Sequence, residues 1–194
     1  MRGLTRLAPS VLLAALALTT PVHAAPADDR AAFGIAMGAP VRQLSGARPF
    51  KPGWYDVVAP PAPDPRFDRV AVEAFAGTGV CVVQGVSSLI SRDADGARVR
   101  AAVDRLADDF SARYGQPLKL DACTGLTCAP DAWGEDVQTG DRRYGYRWDV
   151  RGGPIRQVSV VVLAHSVSSF VYLVQYDSAE LTGCRTEELH TPES

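Results

Sequence analysis

The chain has 194 residues, with 20 lysines and arginines against 22 aspartates and glutamates, and 46% of its residues are apolar. That is enough chain for one domain with a real core. The slight excess of acid excludes general nucleic-acid binding, which needs a basic footprint.

The first segment reads as a secretory signal peptide. Arg2 and Arg6 supply a positive start, and Val11 to Leu18 is an unbroken apolar run. Pro21 then breaks the helix, and Val22-His23-Ala24 offers compact residues for cleavage after Ala24. The apolar run is too short to span a bilayer, which takes roughly 20 residues. No Cys lies just after the cut, so the lipoprotein route is not expected. Residues 25–32 read as a flexible lead-in, residues 33–186 as a single α+β domain, and residues 187–194 as a frayed tail.

Within the domain, Gly38-Ala39-Pro40 precedes a short helical turn through Leu44 that ends at Gly46. Pro60, Pro61, Pro63 and Pro65 mark an extended connector. Val70 to Ala76 and Val80 to Val86, joined by Gly77-Thr78-Gly79, predict a hairpin. Asp93, Asp95 and Gly96 open a helix. Its apolar residues, Val99, Val103, Leu106, Phe110 and Tyr114, recur every three or four positions and share one face. Gly115 and Pro117 stop it.

The stretch from Asp121 to Gly140 reads as irregular, with a short helix near Ala132 to Val137. A strand follows over Arg143 to Asp149, with Tyr144, Tyr146 and Trp148 on one side and Arg143, Arg147 and Asp149 on the other. Ile155 to Ala164 and Phe170 to Tyr176 predict a second hairpin. Val158, Val160 and Val162 are expected on one face, and Phe170, Tyr172, Val174 and Tyr176 on another. Apolar groups on both faces would put this pair in the middle of the sheet. The pattern as a whole predicts an α+β fold: an antiparallel sheet of two or more hairpins with one long helix packed on a face. The phrase Gly38-Ala39-Pro40-Val41-Arg42-Gln43-Leu44 is echoed by Gly152-Gly153-Pro154-Ile155-Arg156-Gln157-Val158. The two copies fall in different predicted settings and read as coincidence.

Four cysteines in an exported chain imply disulfides. Cys123 and Cys128 flank the turn-prone Thr124-Gly125-Leu126-Thr127 and pair locally, which leaves Cys81 for Cys184. Zinc would need further ligands, and neither His165 nor His190 sits at a suitable spacing.

Several residue groups taken together carry a resemblance. They are Phe33-Gly34-Ile35 with Gly38, Tyr55-Asp56-Val57, Gly79-Val80-Cys81-Val82-Val83, Tyr114-Gly115-Gln116-Pro117, Trp133 and Trp148. The ensemble resembles small exported proteins of Gram-negative bacteria with no assigned function, over most of the mature chain. The opening strand, glycine, short helix and Leu44-Ser45-Gly46 also resemble the start of outer-membrane assembly lipoproteins of the BamE type. Neither resemblance implies a catalytic residue.

Chemistry is sparse. His165 has Ser166 beside it, but adjacent strand residues point to opposite faces, and no nucleophile elbow is present. Asp108 and Asp109 diverge around a helix. Glu135 and Asp136 near Trp133 are the other acidic pair. The strongest interaction candidate is the basic stretch carrying Arg142, Arg143, Arg147, Arg151 and Arg156, interleaved with Tyr144, Tyr146 and Trp148. Alternating cations and aromatics can hold an anionic polymer; the same alternation also describes a plain amphipathic strand. Arg143, Arg147, Arg151 and Arg156 are the candidate binding residues. No catalytic residue, metal or cofactor is assigned.

The expected function is that of an exported, non-enzymatic binding or accessory protein of the bacterial cell envelope. Its partner would be an envelope component or another exported protein, with no nucleic acid and no membrane span. One alternative is an inhibitor or immunity-type partner of a secreted enzyme, with the Cys123–Cys128 loop as a rigid plug. Another is a small periplasmic hydrolase built on His165 or on the acids near Trp133.

Overall fold

A computed structural model describes residues 31–125 and 128–190. The expected signal peptide, most of the lead-in, Leu126-Thr127 and the last four residues of the expected tail lie outside the described residues. The strands, in chain order, are β1 (Ala31–Ala32), β2 (Ile35–Ala36), β3 (Ala47–Lys51), β4 (Trp54–Val57), β5 (Phe67–Phe75), β6 (Gly79–Ser87) and β7 (Ile90–Ser91). They continue with β8 (Leu118–Cys123), β9 (Arg142–Asp149), β10 (Ile155–Ser166) and β11 (Ser169–Ser178). The helices are α1 (Ala97–Tyr114), α2 (Trp133–Thr139) and α3 (Leu181–His190), and a 3-10 turn spans Val41–Gln43. The fold is α+β. Its main sheet runs β3-β4-β5-β6-β11-β10-β9-β8, with β7 on β11 and antiparallel pairing throughout.

The long helix α1 forms where its periodicity places it. Val99, Val103, Leu106, Ala107 and Phe110 are buried, each worth roughly 1.5–3 kcal/mol when a large side chain is fully covered. Its first turn leaves free N–H groups. The buried Asp93 carboxylate accepts two of them, from Arg98 N and Val99 N, both at 2.8 Å. Gly96 precedes the helix at φ 66° and lies under the Trp133 ring; a Cβ there would come within 2.1 Å of the ring. Trp133 thereby fixes α2 against the start of α1, and its other side meets Phe170 at 5.1 Å between centroids.

The hairpin β10–β11 is central, as expected, but its faces are not as expected. Val158, Val160 and Val162 lie opposite Tyr176, Val174 and Tyr172. Directly opposed residues of an antiparallel pair share a face, so the two apolar sets are on the same side, under α1 and α2. The opposite face receives Val161, Leu163, Val171 and Leu173 instead. It also carries a chain of amides: Gln84 donates to Gln175 at 2.7 Å, and Gln175 and Gln157 both donate to Asp177.

The helical layer is not confined to one side. α3 packs on β5 and β6 from the other face, where Leu181 and Cys184 bury against Cys81 and Val82 beside Trp54 and Phe75. α3 continues to His190, past the expected start of the tail. Disulfides join Cys81 to Cys184 and Cys123 to Cys128. The first residues of the stretch read as irregular, through Cys123, belong to edge strand β8. Its side chains are exposed or half-buried throughout, so no buried apolar alternation announces it.

Candidate functional site

Strand β9 divides its side chains as the sequence suggests. Tyr144 and Trp148 are buried on the α1 side and Tyr146 is half-buried there. The Trp148 indole donates to Gly115 O at 3.1 Å. The hydroxyls of Tyr144 and Tyr146 both donate to one oxygen of Asp104 on α1, at 2.6 and 2.8 Å. Burial, then the hydrogen bond to that carboxylate, pushes both phenols above the ordinary tyrosine value. Lys119 of β8 closes the group, its ammonium 5.1 Å from the Tyr144 ring and 5.5 Å from the Tyr146 ring.

Arg143 and Arg147 project from the opposite face of β9, alternating with Gly145. Arg151 and Arg156 are exposed at the β9–β10 connection, beyond the other end of the strand. The four candidate arginines are therefore not one patch. Their neighbour Arg142 is committed to structure. It donates to Cys128 O at 3.3 Å, and its Nε lies 3.6 Å from buried Asp136, which ties the local disulfide to α2. Arg147 lies 3.6 Å from Asp149. Arg143, by contrast, has no hydrogen-bond or ion-pair partner among the described residues.

Arg143 stands at the mouth of a cleft of about 630 Å³, within the range typical of small-ligand sites. The cleft exists because two paired strands part. β9 and β10 are in register only as far as Gly145 opposite Val161. Beyond that point β9 stays with β8, while β10 stays with β11. The parted segments are Arg142 to Tyr144 and Val162 to Ala164, and both line the opening with Leu120 and Val137. Gly145 is required at the divide: a Cβ there would sit 2.0 Å from the Val160 carbonyl oxygen. The walls mix residues from both sheet faces, so the cleft enters the sheet rather than lying on it.

Other candidate groups do not converge. His165 is exposed and has no partner among the described residues, while Ser166 Oγ accepts from Ser168 N at 3.4 Å. Glu135 is exposed and Asp136 buried, on different sides of α2; Asp108 and Asp109 are both exposed. Cys123, Cys128 and Asp136 cluster within 4.8 Å, but the two sulfurs are bonded to each other and offer no thiolate to a metal.

The cleft residues Leu120, Val137, Val161, Leu163 and Ala164 were not candidates in the sequence. The one signal for them is a glycine inside a strongly patterned strand, which marks a bulge or a close approach. Comparison with known protein families, with curated proteins and with solved structures finds no match for this chain. Among the described residues, no helix is long and apolar enough to cross a membrane.

Proposed function

We propose that this is an exported binding or accessory protein of the bacterial cell envelope, which holds an anionic partner on the Arg143–Arg147 face of β9. The observation that carries the reading is Arg143. It is a cation without a carboxylate, placed at the mouth of a largely apolar cleft, in a chain whose other arginine at that place is spent on Asp136. Two disulfides suit an oxidising compartment, and the sequence of the first 24 residues supplies the route. The resemblance to exported Gram-negative proteins points the same way.

The test is retention of the purified mature protein on washed outer-membrane fragments at moderate salt. Replacing Arg143 and Arg147 together by Ser should leave the fold intact, at a cost within about 1 kcal/mol for the exposed Arg143 charge and somewhat more for half-buried Arg147, and remove retention. Retention that survives the double substitution, or a wild-type protein that never binds, would overturn the reading.

A further inference from the structure

We infer that the cleft between β9 and β10 is a binding site for an amphipathic monoanion: an aliphatic body ending in one carboxylate or an equivalent charged group. The inference rests on the reading of Arg143 as a ligand-facing residue and goes beyond it by naming what enters the cleft.

The chemistry of the walls selects the body of the ligand. Leu120, Val137, Val161, Val162, Leu163 and Ala164 are all aliphatic. The lone aromatic ring is Tyr144, whose hydroxyl is already given to Asp104. A sugar or a nucleobase would find one ring, already flanked by Lys119 and Trp133, and only Gln138 and Arg143 as polar groups not committed elsewhere. An alkyl chain would find continuous hydrocarbon, and every buried methylene gains about 0.8 kcal/mol. The position of the cleft adds depth. Leu163 is on the outer side of β10 and remains 45% exposed, whereas Val162, Ala164 and Tyr144 belong to the core side. A chain entering beside Leu163 can therefore pass between the strands toward α2.

The charges at the mouth select the head. Arg142 is matched by Asp136 and, at 3.8 Å, by Asp121. Gln138 is neutral. Arg143 is the remaining cation of the lining and has no ion-pair partner among the described residues, so it is the group an entering anion meets. A single anionic group completes it; a dianion would not be matched, and a neutral alcohol would leave the guanidinium unused. A guanidinium also meets a carboxylate in a two-pronged geometry that an ammonium lacks.

The probe is sodium decanoate, used below its micelle-forming concentration and followed by titration calorimetry on the intact mature protein. Saturable binding of one decanoate per chain is expected. Arg143→Gln should weaken it about tenfold, the effect of losing one charge-assisted hydrogen bond, while 1-decanol should bind both proteins equally. Leu163→Trp changes an exposed position and is expected to keep the fold, checked by far-UV circular dichroism; it should fill the cleft and abolish binding of both probes. Absence of saturable decanoate binding overturns the inference, and so does binding that ignores Leu163→Trp. Equal decanoate affinity in wild type and Arg143→Gln overturns the choice of an anion. If decanoate binds as expected but outer-membrane fragments are not retained, the inference stands and the envelope reading falls. If retention depends on the arginines and decanoate does not bind, the envelope reading stands and the inference falls.

Discussion

The two ends of the long sheet are fastened by different means. Toward the β3–β4 end, α3 is bolted to β6 through Cys81–Cys184, a buried bridge between residues 103 apart in sequence. At the β8–β9 end, Cys123–Cys128 closes a separation of only 5, and attachment to the rest of the molecule falls to the β9–β10 ladder from Asp149 to Gly145 and to side chains: Trp148 against Phe110, and Tyr144 and Tyr146 against Asp104. The lesson is a division of labour. The end remote from the cleft carries a long-range covalent tie, and the end that contains the cleft is held by strand pairing and packing alone.

This contrast can be broken first with the disulfides. In the chain-entropy model, removing Cys81–Cys184 by paired Ala substitutions should cost about 4.7 kcal/mol, and removing Cys123–Cys128 about 2 kcal/mol. Urea midpoints of the two double variants measure the difference. Equal losses would mean that the ends are not fastened differently. Trp148→Ala comes next, at about 3–5 kcal/mol for a fully buried ring. Amide hydrogen exchange should show its effect concentrated in β8 and β9; a uniform loss of protection across the sheet would merge the two ends into one unit.

The smallest effect is a matter of pH. Tyr144 and Tyr146 are both held above their ordinary value, so the folded chain keeps these protons more tightly than the unfolded chain does. Stability should stay level up to about pH 10, the unperturbed tyrosine value, and fall as pH rises beyond it. Tyr144→Phe should flatten part of that fall, read from urea midpoints between neutral pH and alkali. An unchanged alkaline slope would remove the Asp104 cluster from the account of how the cleft end is held.

Much of the fold is legible in the sequence, where periodicity and burial coincide. The face of α1 is an example: Val99, Val103, Leu106 and Phe110 keep helical spacing because that side is covered. The hairpins on either side of it announce themselves by β-branched runs and turn residues. Strand β8 does not, because an edge strand with neither face well buried needs no apolar alternation. The β10–β11 faces could not be assigned, since each strand shows its own alternation and only the register shows which sides coincide. The cleft is hidden for a related reason. It is defined by where two strands stop pairing, and pairing is a relation between distant segments; Gly145 is its one local trace.

If the chain is exported as proposed, the short bridge has a consequence for the order in which its cysteines pair. A chain threaded into an oxidising compartment from its amino end presents Cys81 first, and Cys123 and Cys128 next. Cys184 arrives last of the four. Through that interval Cys81 has two thiols within reach and its native partner is missing. Two cysteines five positions apart meet far more often than two at forty, so the small loop closes on itself and withdraws both competitors. What looks like a minor staple in the finished molecule would then be, in the order of events, a guard on fidelity: it would keep Cys81 unmated until α3 delivers the sulfur meant for it.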